Sequence, residues 1–237
     1  MDISDKKIVT LRAKVTAARQ EFDMAVSFHE TWKPAAFDHD LHRRMGESYA
    51  TNTFLVIRMA LRREMLLALV RLWDKDARAV GMEAVAEALG DGQLLDALAK
   101  DRATSIGMPE AESQMRVELG QKADKAILLV RKYSQGGSHY ATHRKLRKLR
   151  NVRLAHRQSD AIAIADDPTD EEIESFYRDM SELICLLLGL VMGLAYDPGD
   201  AGDVYRHHAK FFWVGVCGER TQGHPSYKAA NLKSRES

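Results

Sequence analysis

The chain has 237 residues, 45% of them hydrophobic and 7% aromatic, with five prolines and a formal net charge of +1. Those values suit a globular protein that buries a real core, as one large helical domain or two small ones. The only cysteines, Cys185 and Cys217, sit in apolar company, which argues against a disulfide framework or a zinc site. The first residues, MDISDKKIVT, have no apolar run behind their lysines, so no secretory signal is expected. The most apolar segment, Leu183 to Tyr196, has 14 residues without a charge. A bilayer span needs about 20, so a buried helix, no membrane partner and a cytoplasmic location are expected.

Stretches rich in Ala, Leu, Arg, Glu, Lys and Met favour helix throughout. Phe211 to Val216 is the one β-looking patch, too isolated to build a sheet. Ile8, Leu11, Val15, Ala18, Phe22 and Val26 recur at three- and four-residue steps and predict a first helix over 4–31, ended by Trp32-Lys33-Pro34. Phe54, Ile57, Leu61, Met65, Ala68 and Leu72 mark a second, long helix over 39–75. One or two short helices follow over 82–103, broken at Gly90-Asp91-Gly92. Pro109 reads as a helix start, and Leu119, Ala126 and Val130 carry that helix to Arg131. The turn residues Gln135-Gly136-Gly137-Ser138 lead into a helix over 139–158. Pro168-Thr169-Asp170-Glu171-Glu172, with acids in the first turn, opens an apolar helix ending near Tyr196. A last helix spans 200–217, and the polar remainder from Gly218 is expected to fray. The fold class is therefore all-α, an antiparallel bundle. Its expected divisions are a bundle domain over 1–198 and a C-terminal helix with a flexible tail over 199–237.

The net charge conceals an island. From His139 to Arg157 stand Arg144, Lys145, Arg147, Lys148, Arg150, Arg153 and Arg157 with no acid among them, leaving the rest of the chain acidic. Such an island is the footprint of a phosphate-binding surface, or else a solvated helix face paired with acids elsewhere in the fold. Within it, Arg150, Asn151 and His156 bring a fixed cation, a carboxamide and an imidazole into two turns. Metal-free RNA cleavage needs a base for the ribose 2′-OH proton, an acid for the leaving oxygen and a cation for the phosphate. Imidazole titrates near neutrality and serves proton transfer, while guanidinium grips phosphate oxygens as a fork.

Arg150-Asn151, four residues, then His156 resembles the signature of the HEPN superfamily: Arg, four to six residues, then His. The run "RLAHR" and the segment "RLWDKD" at Arg71 to Asp76 look most like its abortive-infection, AbiU-type branch. The resemblance covers about residues 1 to 200. It implies a metal-independent endoribonuclease without cofactor, working as a homodimer whose two motifs meet in one cleft. By position Arg150 would steady the phosphate, Asn151 would orient a neighbour, and His156 would move the proton. The remaining cations of the island would bind RNA. An antitoxin or other defence-system partner is implied as well. Gln158 stands where some toxin relatives carry a modified tyrosine, so that form of regulation is not expected.

On an ideal helix, at about 100° per residue, Arg150 and His156 lie roughly 120° apart, whereas Arg153 is about 60° from His156. Either the helix is distorted or Arg150 reaches the phosphate from a second subunit or the cleft edge, and Arg153 stays a secondary candidate. His156 also falls near the face of Leu149, as a plain surface histidine would. Other histidines carry less. His139 and His143 share a face but have no acid to complete a metal site. His39 with His42, and His207 with His208, read as surface residues, while Asp74 and Asp76 read as caps or arginine partners. The alternative to an RNase is a non-catalytic module that binds nucleic acid or a partner protein. A scaffolding protein with neither activity is the third reading.

Overall fold

The computed structural model of the chain describes residues 3–74, 76, 79–151 and 168–229. The secondary structure there is helical, with no strand among the described residues. The helices are α1 (Ile3–Phe37), α2 (His39–Met45), α3 (Tyr49–Arg71), α4 (Met82–Leu89), α5 (Gly92–Ser105), α6 (Glu112–Tyr133), α7 (Tyr140–Leu149), α8 (Asp170–Leu187) and α9 (Pro198–Gly215). Phe211 to Val216 lies mostly in α9 and forms no strand. No helix among the described residues is long and apolar enough to cross a membrane.

The chain divides into two compact units, one of residues 1–25 and 66–198, the other of 26–65 and 199–237.

In the first unit, Ile8, Leu11, Val15, Ala18 and Phe22 of α1 are all buried, as their spacing requires. Its central helix is α6, which packs on α4, α5, α7 and α8 through Leu119, Ala123, Ala126, Val130 and Tyr133. Asp91 caps α5 by accepting the Gln93 N–H at 3.0 Å. Pro109–Ala111 forms a 3-10 turn ahead of α6. Thr169 starts α8 with a reciprocal capping box: its side chain accepts the Glu172 N–H, and the Glu172 carboxylate accepts the Thr169 N–H. Beyond Leu187 the chain widens into a π-helical stretch, Leu188–Met192, and stops at Gly193 with φ +69. The expected end near Tyr196 is thus a few residues late. The Arg102 guanidinium donates to the carbonyls of Gly189 and Leu190, satisfying groups that the wider helix leaves open.

The second unit gathers Ala35, Leu41, Met45, Phe54, Ala209 and Trp213 into one apolar cluster. Here two boundary expectations need correction. Helix α1 does not stop at Pro34 but runs to Phe37, and Asp38 N–H still donates to the Pro34 carbonyl at 3.0 Å. Burial of Trp32, Ala35 and Ala36 outweighs the local preference against helix before proline. Conversely, the expected long helix over 39–75 is two helices. Gly46 adopts φ +50, a left-handed conformation that stops α2 at low cost only because it lacks a Cβ. The segment after Gly218 is not frayed where it is described. Gly218 N–H donates to the Arg44 carbonyl at 3.0 Å, and His224 is buried against Gly46.

Glu30, also in this unit, is 5% exposed. Arg206 Nε donates to its Oε2 at 2.8 Å and His29 Nδ1 lies 3.3 Å from Oε1. Burial pushes the carboxyl pKa up, but the hydrogen bonds from His29 and Arg206, with the charges of Lys33 and Arg206, outweigh it and bring the pKa from 4.5 to about 2. A folded pKa below the unfolded one gives stability that is complete above 4.5 and is lost as pH falls toward 2. The shift corresponds to at most roughly 3 kcal/mol, reduced because water screens the half-exposed Arg206. Thermal melts of the wild type should therefore drop through this acid range. Glu30→Gln should be less stable at neutrality by about 1–3 kcal/mol and show a shallower acid slope.

Trp73 yields a second test. It is 4% exposed, and its Nε1 donates to Met180 Sδ at 3.3 Å. Trp73→Ala is expected to lower unfolding free energy by about 3–5 kcal/mol in urea titrations.

Candidate functional site

The site is built on α7. Thr142, His143, Leu146 and Leu149 are buried at three- and four-residue steps, which turns the basic residues between them to the sides and outward. Arg144 and Lys148 are exposed, and Arg147 is half-exposed. His143 anchors this helix from below. Its ring lies 4.7 Å from Trp73 and stacks within 9° of Phe176, and its Nδ1 is 3.0 Å from the Tyr133 carbonyl. Tyr133 closes the cluster, meeting Phe176 edge-on at 4.8 Å and donating its hydroxyl to Asp179. Burial, reinforced by that carboxylate, raises the Tyr133 pKa well above the ordinary phenol value.

His143 is thus a core aromatic, and sequence reading missed it by weighing it only as a metal ligand beside His139. The His139 Nδ1 instead faces Ser138 Oγ at 2.9 Å. Among the described residues no group of three His, Cys, Asp or Glu side chains is placed to hold a metal. His42, read as a surface residue, turns its Nε2 to the Ala35 carbonyl at 2.8 Å and its ring edge to Phe54.

At its C-terminal end α7 opens into a π-type turn at Arg150 and Asn151. Such turns break the even 100° step assumed for a straight helix, and they recur at functional positions. Arg150 is held from two directions. One Nη donates to Asp74 Oδ1 just beyond α3, and Nε donates to Asn151 Oδ1 at 2.9 Å. The Arg150 side chain is 22% exposed and that of Asp74 35%. Arg153, His156 and Arg157 lie outside the described residues, so the structure brings together Arg150 and Asn151 of the expected trio.

The fold supplies the acids that the island itself lacks. Lys145 Nζ reaches both oxygens of Glu172, at 2.9 and 3.0 Å. Burial alone would raise the Glu172 pKa, yet hydrogen bonds from Lys145 and from the Thr169 backbone hold it below the ordinary value. Asp74 does pair with an arginine, and that arginine is the one in the motif. It also lines a cleft of ≈ 280 Å³ with Asp76, Glu83 and Glu87, where Lys14 is the one cation of the lining. Such an acidic lining disfavours an anion inside the cleft. Arg144 and Arg147 have no carboxylate partner among the described residues. They are the cations left available for an external anion, alongside whatever part of Arg150 its two partners leave open.

Comparison with known proteins adds one finding. A family model described as AbiU2, of the HEPN class, matches residues 8–212. Neither the curated proteins nor the solved structures yield a match to the chain. With a doubly held arginine at the end of a basic helix, in an all-helical chain matched over most of its length, the protein belongs to the AbiU2 family, the abortive-infection branch of the HEPN proteins.

Proposed function

We propose that this chain is a metal-independent endoribonuclease of a phage-defence or toxin-type system. It cleaves RNA at a composite site where Arg150, Asn151 and His156 of two identical subunits meet. The observation that carries the reading is the fixed Arg150 guanidinium, oriented by Asp74 and Asn151 on the helix that also bears Arg144 and Arg147. A guanidinium held in place before substrate arrives loses little entropy on binding a phosphate, and it stabilises charge where it develops. In this scheme Arg150 steadies the scissile phosphate and Asn151 orients the arginine. His156 takes the 2′-OH proton or returns one to the leaving oxygen, the other transfer falling to the partner subunit's copy of the same imidazole. Arg144, Lys145, Arg147, Lys148, Arg153 and Arg157 hold the RNA backbone, with Lys145 contributing only as far as Glu172 releases it. An antitoxin or defence-system partner restrains the activity.

A second reading has its own observation. Asp74 already neutralises much of the Arg150 charge, as suits a chain that binds nucleic acid through α7 without cutting it.

Purified protein incubated with total RNA in EDTA separates the two. Cleavage is expected, and His156→Ala should slow it by about 10²- to 10⁴-fold. Equal activity of the two proteins removes the nuclease reading. Salt-sensitive binding that survives His156→Ala and leaves the RNA intact selects the second one. Asp74→Asn frees Arg150 without removing it. It should lower the cleavage rate by about 10-fold or more through misplacement of the guanidinium, while RNA retention in a gel shift stays within about twofold.

A further inference from the structure

One groove of the first unit lies away from α7, between the N-terminal turns of α1 and helix α4, and has a volume of ≈ 680 Å³. Its size is that of a small-molecule site. Leu11, Ala84, Ala88 and Leu94 supply its apolar surface. Ala84 and Ala88 stand one turn apart on α4, and their small side chains leave the space that larger residues would fill.

Two lysines fix the groove at its ends. Lys14 Nζ donates to the carbonyls of Ala79 and Val80 at 3.0 and 3.3 Å, ahead of α4. Lys7 Nζ pairs with Asp91, the cap of α5, at 2.7 Å. Lys6 also lines the groove, is exposed, and has no carboxylate partner among the described residues. Thr10, one turn on, adds a hydroxyl. The lining thus carries Lys6, Lys7 and Lys14 against Glu87 and Asp91, an excess of one positive charge.

We propose that this groove binds a small amphiphile with an apolar or aromatic body and a single anionic group. The body lies on the leucine and alanine surface, and the anion meets Lys6 at the Lys7–Asp91 end. A polyanion is disfavoured, because Glu87 and Asp91 face the same space, Lys7 is paired with Asp91 and Lys14 is occupied by two carbonyls. The groove shares Lys14, Ala84 and Glu87 with the cleft beside Asp74, but Lys6, which meets the anion, lines only the groove, so the inference does not rest on the RNase reading.

The test uses the full-length protein and the fluorescent probe 8-anilinonaphthalene-1-sulfonate, an aromatic body with one sulfonate. Saturable binding is expected, with displacement by decanoate and none by ATP at equal concentration. Lys6→Glu should weaken the probe by about 10-fold, the size of one lost charge-assisted contact with reversal of its sign. Ala88→Phe, which fills the groove, should weaken it at least as much, with circular dichroism confirming that the variant folds. The neutral probe N-phenyl-1-naphthylamine should bind about 10-fold more weakly than the sulfonate and be indifferent to Lys6→Glu. Sulfonate affinity unchanged within twofold in Lys6→Glu overturns the proposal, whatever Ala88→Phe does. So does failure of decanoate to displace the probe, or displacement by ATP as strong as by decanoate.

Discussion

The arrangement around α7 depends on a buried cluster of rings. Trp73 follows α3, Tyr133 ends α6, His143 lies on α7 and Phe176 on α8, so four parts of the chain meet in one packed group. Rings of this size remove large areas from water and fit one another in few orientations, so the cluster contributes both stability and direction. Asp74 is the residue after Trp73, and Arg150 lies two turns beyond His143. The ion pair between them therefore spans elements whose spacing the rings have already set.

Electrostatically, the linear sequence and the fold describe the basic helix differently. Along the chain it is a run of cations without acids. In three dimensions Glu172 meets Lys145 and Asp74 meets Arg150, so these two cations are held, while Arg144 and Arg147 have no carboxylate partner among the described residues. A guanidinium anchored in this way is a positioned group rather than a roaming charge, which suits chemistry at a defined phosphorus better than loose adhesion to a backbone.

Much of the fold was legible because helical periodicity survives packing. The apolar steps of α1, α6 and α8 emerge as buried stripes, and the Asp91 and Thr169 caps stand where their residue types place them. What eluded the sequence was decided by contacts distant along the chain. Pro34 is a local helix breaker overridden by burial of its neighbours, whereas Gly46 ends a helix within a stretch expected to be one helix. His143 was set aside as a ligand for want of an acid, but its place against Trp73 and Phe176 depends on residues far along the chain. Arg150 and Asn151 were readable as a pair with a chemical purpose, but the aspartate that holds the arginine is 76 positions away. Asp74 and Asp76 read alike as caps or arginine partners, and no local pattern joins Asp74 to Arg150. Arg102, serving carbonyls of the π-helical stretch, had no sequence signal at all.

Glu172 carries a consequence of its own. One carboxylate receives the backbone N–H of Thr169 and the ammonium of Lys145, and Thr142 Oγ1 approaches it at 3.3 Å. It therefore stitches the start of α8 to the body of α7, the two helices that flank residues 152–167. The flanks of that stretch, which includes the imidazole-bearing position 156, are fastened to each other by non-covalent bonds. A severed peptide link anywhere within it would leave the two halves still clasped at their roots.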